Sequence, residues 1–350
     1  MSLCEHIDTF PCFGSSCSVR VTGDGVTRSA AQSVAFARRQ LLAWHGRFSR
    51  FLPESELSRL NRDTRATVPA SALMVELAAA VRRAGSMTAG LVDGTLLERV
   101  RSAGYRDSLE QGVALGPALA LAPPRRPAGA SPGASWALIT SDREAGTVTR
   151  PAGVSIDSGG LAKGLFADVL ARELEQHAAY VVSCAGDLAL GGRRAPVREL
   201  KVESPFDGAT IHAFEVARMG VATSGIGRRS WFDERGRPAH HLLDPATGRP
   251  AYTGIVQATA LAPSALDAEI YAKAALLSGP ERARAWLAHG GVLVFDDGSH
   301  EVLEAPAAIT LGRSIGGSSQ ERADGEKTAP LSERSSAPPS PKAAASASVS

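Results

Sequence analysis

Residues 154–168 read VSIDSGGLAKGLFAD: a short apolar run, a carboxylate at Asp157, the pair Gly159-Gly160, and then a helical pattern with Lys163 in its first turn. The order demands a strand that passes directly into a helix in the middle of the chain. Glycines let a backbone approach a ligand, and a helix N-terminus offers unpaired N–H groups and a partial positive charge, so a phosphate would suit this junction. Glycine also serves such junctions simply by allowing close packing. The residues of this stretch leave both accounts open.

The flanking segments set the class. CSVRVT at 17–22 alternates as a strand and ends at Gly23-Asp24-Gly25. Val34, Ala37, Leu41, Trp44 and Phe48 recur at spacings of three and four, predicting a helix over about Ser29 to Phe48, and a second helix runs from an N-cap at Ser71 to Gly85. Between about 107 and 135, Gly, Pro and Ala crowd the chain without periodicity, which reads as a long surface connection. Strands follow at 180–184, 199–204 and 254–262, then a helix over about 265–278, a short helix in PERARAWLAHGG and a strand at VLVF. No βαβ unit repeats and no GxGxxG follows a first strand, so the expectation is an α+β fold with mixed, largely antiparallel sheets packed by helices, not a dinucleotide fold. After Gly312 large apolar side chains almost vanish, so residues 1–312 are expected to form one domain and 313–350 a disordered Ser/Ala/Pro-rich tail.

Charge and cysteine content narrow the partners. A net charge of +2 supplies no field for nucleic acid or an anionic membrane, and no run of about 18 apolar residues is present to span a bilayer. Cys4, Cys12, Cys17 and Cys184 match neither a zinc spacing nor a disulfide framework, which reads as free thiols in a reducing, cytoplasmic setting. MSLCEHIDTF lacks a basic region followed by an apolar stretch, so Cys4 is not expected to carry a lipid.

Further polar residues lie where a core does not need them: Ser55, Glu56 and Asn61 in RFSRFLPESELSRLNR, Gly186 and Asp187 in SCAGDLALGG, and Thr223, Ser224, Gly225 and Arg228 in GVATSGIGRRS. HHLLDPATGRP, 240–250, adds two histidines and Asp244 beside a corner that Pro245 and Gly248 close. Leu242 and Leu243 read as a buried strand end, and the histidine and aspartate as either a staple for the turn or a chemical pair.

Taken in order, FSRFLPESELSRLN, VDGTLLERVRSAGY, IDSGGLAKGLFAD, SCAGDLAL, VATSG and HHLLDPATGRP resemble the ApbE family of FAD:protein FMN transferases over roughly residues 10 to 305. The resemblance implies an α+β fold that holds FAD in an extended groove and, with Mg²⁺, moves its FMN half onto a Thr or Ser hydroxyl of an acceptor flavoprotein, releasing AMP. It places Asp157 and Lys163 at FAD, Ala103, Gly104 and Tyr105 along the flavin, and Phe13 and Phe51 against it. The matched segments add Ser55, Glu56, Asn61, Gly186, Asp187, Thr223, Ser224, Gly225 and Arg228 to the expected FAD surroundings. His241 matches the base for the acceptor hydroxyl, with Asp244 fixing it, while His240 is expected to face solvent.

The match departs at the metal. The Gly160 carbonyl is implied as one ligand, but the family's Asp and Thr, four apart on a late helix, fall on Glu269 and Lys273. Glutamate can ligate Mg²⁺; lysine cannot. Asp267 and Tyr271 offer a rival register about 200° around the helix. Asp93-Gly94 also stands where the family has Asp-Pro. An FAD-binding protein without transfer and an FAD pyrophosphatase are the alternative functions.

Overall fold

The computed structural model describes residues 4–107 and 112–304. The expected tail lies outside the described residues, as do residues 108–111 of the expected surface connection. Eight strands form one sheet: Glu5–Cys12, Ser15–Thr22, Ala179–Cys184, Asp187–Gly191, Met219–Gly225, Ile255–Ala262, Gly291–Phe295 and His300–Leu303. They lie side by side in that same order, and every neighbouring pair is antiparallel. Short two- and three-stranded sheets complete the architecture, which is α+β.

Helices Ala30–Phe48, Ala162–Leu174 and Ala265–Ser278 pack on this sheet and on one another. The first matches its apolar stripe, and Ser29 caps it in a reciprocal capping box with Gln32. Ala265–Ser278 is buried on almost every side, so it runs through the core rather than over it. Glu269 and Lys273 therefore sit in the interior, 1% and 8% exposed. The closeness of the helices has a specific cause. A Cβ on Gly164 would meet the Ala265 carbonyl oxygen at 2.6 Å, so this glycine is required for packing.

Two sequence expectations need correction. Residues 154–156 form no strand; the Asn61 side chain binds the backbone of Ile156 instead, donating to its carbonyl and accepting from its N–H, both at 2.8 Å. The stretch 107–135 holds a helix, Leu115–Ala120, whose Leu115 and Ala118 are buried, so it is not wholly a surface connection. Ser55, Glu56 and Asn61 lie at the cap of and within a helix, Glu56–Arg62. The strand Glu5–Cys12 went unread because its exposed edge breaks the apolar alternation. All four cysteines are free thiols, three of them buried, and no helix among the described residues is long and apolar enough to cross a membrane.

Candidate active site

One hairpin turn and the glycine junction open onto one cleft of about 1320 Å³, counting its mouth, and a second hairpin turn lies behind it. The turn Phe13-Gly14 has positive φ at both residues, as does Ala185-Gly186. Such two-residue turns suit the strand twist, but Phe13 and Ala185 adopt a backbone that side chains with a Cβ disfavour. The first strained turn lines the cleft; the second leads straight into Asp187, whose carboxylate reaches the cleft only through Lys163.

The junction has room for a ligand. A Cβ on Gly159 would meet nothing closer than Asp157 Oδ1 at 3.4 Å, and one on Gly160 nothing closer than Lys273 Cε at 3.7 Å. Close packing therefore accounts for Gly164 and not for the Gly159-Gly160 pair. Asp157 accepts one hydrogen bond, from the Gly159 N–H at 3.1 Å, and lines the cleft. The helix begins at Ala162 with no side-chain cap at Leu161, and of its first-turn N–H groups that of Gly164 is taken by Glu269.

Behind the junction, Lys163 binds Asp187 and lies 3.4 Å from Glu269 Oε1. Lys273 Nζ lies 2.9 Å from that same oxygen, and the Gly164 N–H donates to Oε2 at 2.9 Å. Burial alone would raise Glu269, but the ammonium groups of Lys163 and Lys273 reverse this and hold its carboxyl at about 2. Burial pushes Asp187 up to about 6 against the pull of Lys163. Burial would likewise lower Lys163, yet Asp187 and Glu269 carry it well above the ordinary ammonium range. The rival register is excluded: Asp267 forms an ion pair with Arg83 at 2.6 Å.

The opposite wall is aromatic. Tyr105 stacks on Trp231 with ring centres 5.5 Å apart, and Phe51 meets Tyr105 edge-on at 5.8 Å. Ala103 and Gly104 support that wall from behind: the Ala103 carbonyl accepts from Trp231 Nε1 at 3.1 Å, and Gly104, at φ +106°, leaves room for the indole. His241 joins Tyr105 at 6.5 Å. Its Nδ1 lies 3.3 Å from the Arg229 carbonyl oxygen, which can only accept, so the proton sits on Nδ1 and Nε2 keeps the lone pair. Burial, with Arg229 and Lys273 nearby, holds this imidazole well below the ordinary histidine range.

Several expected site residues serve the fold instead. Asp244 does not touch His241: its carboxylate accepts from Gly129 N at 2.9 Å, Ala246 N at 3.0 Å and Thr247 Oγ1 at 2.9 Å, which staples the turn. His240 is not solvent-facing; it is 1% exposed, and neither ring nitrogen has a hydrogen-bond partner among the described residues. Ser55 caps Glu56–Arg62, and Glu56 grips the backbone and hydroxyl of Ser71 while pairing with Arg47. Thr223, Ser224, Gly225 and Arg228 lie outside the lining of this cleft, Thr223 Oγ1 bonding Thr259 Oγ1 at 2.9 Å.

Three lining residues escaped the sequence reading. Arg50 lies over the rings of Tyr105 and Phe51, at 4.3 and 4.7 Å, with a buried Nη1 that has no hydrogen-bond partner among the described residues. Asp93 turns beside the cleft a buried Oδ2 without a partner among the described residues, while its Oδ1 accepts from Thr95. Arg229 lines the cleft where Arg228 was expected; the register of the strand end decides between these neighbours and is not visible in an Arg-Arg pair.

Residues 13–295 match the model of the ApbE family. An FAD:protein FMN transferase of Klebsiella pneumoniae is 29% identical over 286 residues, 79% of this chain and 80% of its own length. Its counterpart in Escherichia coli K12 is 31% identical over 147 residues, so the chain aligns with 41% of that relative's length and 40% of its own. Among solved structures, the ApbE protein of Thermotoga maritima superposes with a TM-score of 0.69 at 20% identity, covering 86% of this chain and 97% of that one. The flavin transferase ApbE of Vibrio cholerae gives 0.66 at 21%, covering 88% and 98%. The fold, the cleft and a family match that spans nearly all the described residues agree: this chain belongs to the ApbE family.

Proposed function

We infer that the chain is an FAD:protein FMN transferase, as its relatives in Klebsiella and Escherichia are named. In the reaction, a Thr or Ser hydroxyl of an acceptor protein attacks the FMN-side phosphorus of FAD. A new P–O bond forms, the P–O bond to the adenylate breaks, AMP leaves, and the hydroxyl proton passes to His241 Nε2. The observation that carries this reading is His241, its Nδ1 3.3 Å from the Arg229 carbonyl so that Nε2 is left to accept a proton, in a cleft that also presents Lys163 and Lys273. A base of this kind needs a free lone pair at working pH, and a phosphoryl group needs fixed positive charge around it.

The aromatic wall of Tyr105 and Phe51 offers faces for an isoalloxazine, with Asp157 and the open Gly159-Gly160 backbone beside it. The test incubates the protein with FAD and total cell protein, then reads flavin fluorescence on a denaturing gel and AMP in solution. A fluorescent band with matching AMP supports transfer. FMN and AMP without a band would mean water is the acceptor, and tight FAD binding without AMP would mean a binding protein.

A further inference from the structure

The four ionisable groups at the cleft floor form a closed, neutral set of two carboxylates and two ammoniums. Both Glu269 oxygens are engaged: Oε1 takes Lys273 at 2.9 Å and Lys163 at 3.4 Å, and Oε2 takes the Gly164 N–H at 2.9 Å. Asp187 Oδ2 is bound by Lys163. Among the described residues no group of three His, Cys, Asp or Glu side chains could hold a metal. Mg²⁺ requires about six oxygens in near-octahedral array, and here it would have to displace an ammonium from Glu269 and lie close to a second. The residues present do not fit the divalent ion that the family resemblance implies.

What they do provide is a cation already in place. Lys273 is 8% exposed, its stem runs past Gly160, and Glu269, one helical turn before it, holds its ammonium at the cleft. We propose that Lys273, anchored on Glu269 and backed by Lys163, is a built-in cation that binds the FAD diphosphate in place of a divalent metal. The proposal rests on the FAD reading above. An ammonium is a point charge with three donors, suited to a phosphate oxygen, and it needs no open coordination site. Metal dependence should therefore be absent at the binding step itself.

The experiment titrates the full chain with FAD, and in parallel with riboflavin, by flavin fluorescence in EDTA and again in Mg²⁺. Unmodified protein should bind FAD with the same affinity, within about twofold, in both buffers. Lys273→Met should weaken FAD by about tenfold or more while leaving riboflavin binding intact, because riboflavin carries no phosphate. Riboflavin binding thus reports that the variant pocket is folded, and Lys273→Arg, which keeps the charge, should retain FAD in EDTA. Tightening of FAD by Mg²⁺ in the unmodified protein by about tenfold or more would overturn the proposal and leave the FAD reading standing. Unchanged FAD affinity in Lys273→Met would do the same. FAD no tighter than riboflavin in either buffer would instead remove the FAD reading, and this proposal with it.

Discussion

The Asp157–Lys163 junction and the His240–Gly248 corner each set a carboxylate and a basic group on a tight stretch of backbone, and they use them in opposite ways. At the junction the glycines face open space and Asp157 has accepted a single N–H. At the corner, Asp244 is saturated by three donors, a Cβ on Gly248 would press within 2.8 Å of the Arg99 side chain, and His240 is sealed in the interior. Of the corner's polar side chains, His241 alone lines the cleft. A polar residue is available for chemistry where the surrounding backbone has not already consumed its lone pairs. The corner is scaffold, built to aim one imidazole.

That contrast is sharpest at His241. Replacing it with Ala should lower flavin transfer by about 10²–10⁴-fold with FAD affinity nearly unchanged, measured by AMP release and FAD titration. A drop of only about twofold would put the base elsewhere. Because burial, Arg229 and Lys273 hold this imidazole well below the ordinary range, its protonation should put no bend in the rate near pH ~6.5.

Asp244→Ala should act on stability instead. Stripping three donors of a buried acceptor should cost about 3 kcal/mol in urea unfolding. If the loss were negligible and transfer fell instead, Asp244 would belong to the chemistry after all.

His240 gives a smaller, pH-dependent effect. Burial lowers its folded-state value to about 3, from an ordinary 6.5. The unfolded chain therefore binds the extra proton between those values. The stability this contributes is complete above the ordinary value and is lost as pH falls toward about 3. His240→Phe keeps an aromatic ring against Tyr252, 4.8 Å away, and should reduce the acid-induced loss by about 2 kcal/mol at pH ~5. Parallel pH profiles of the two proteins would refute this.

Much of this was legible in the chain. Helix Ala30–Phe48 and helix Ala72–Met87 follow from apolar spacing and Ser caps that act through neighbours in sequence. The ordered motifs led to Asp157, Lys163, Tyr105 and His241, all of which line the cleft. What failed depended on contacts remote in sequence. Asn61 reaches Ile156 across 95 positions, and Asp244 accepts from Gly129 across 115. Both looked like free polar groups because their partners lie in other elements. The choices between His240 and His241, and between Arg228 and Arg229, turn on the facing of one residue at a strand end, which a doubled residue conceals. Arg50 and Asp93 gave no signal beyond lying in segments that already stood out.

The measurement that bears most directly on the contrast compares Asp157→Ala with Asp244→Ala, reading melting temperature and FAD affinity for each. Asp157→Ala should melt with the parent and bind FAD about tenfold or more weakly, since it removes a charged acceptor from the ligand side of the cleft. Asp244→Ala should melt lower, while its folded fraction binds FAD as the parent does. The reverse pattern, with Asp157→Ala unstable but binding FAD normally and Asp244→Ala stable but unable to bind, would contradict the division between ligand-facing junction and scaffold corner.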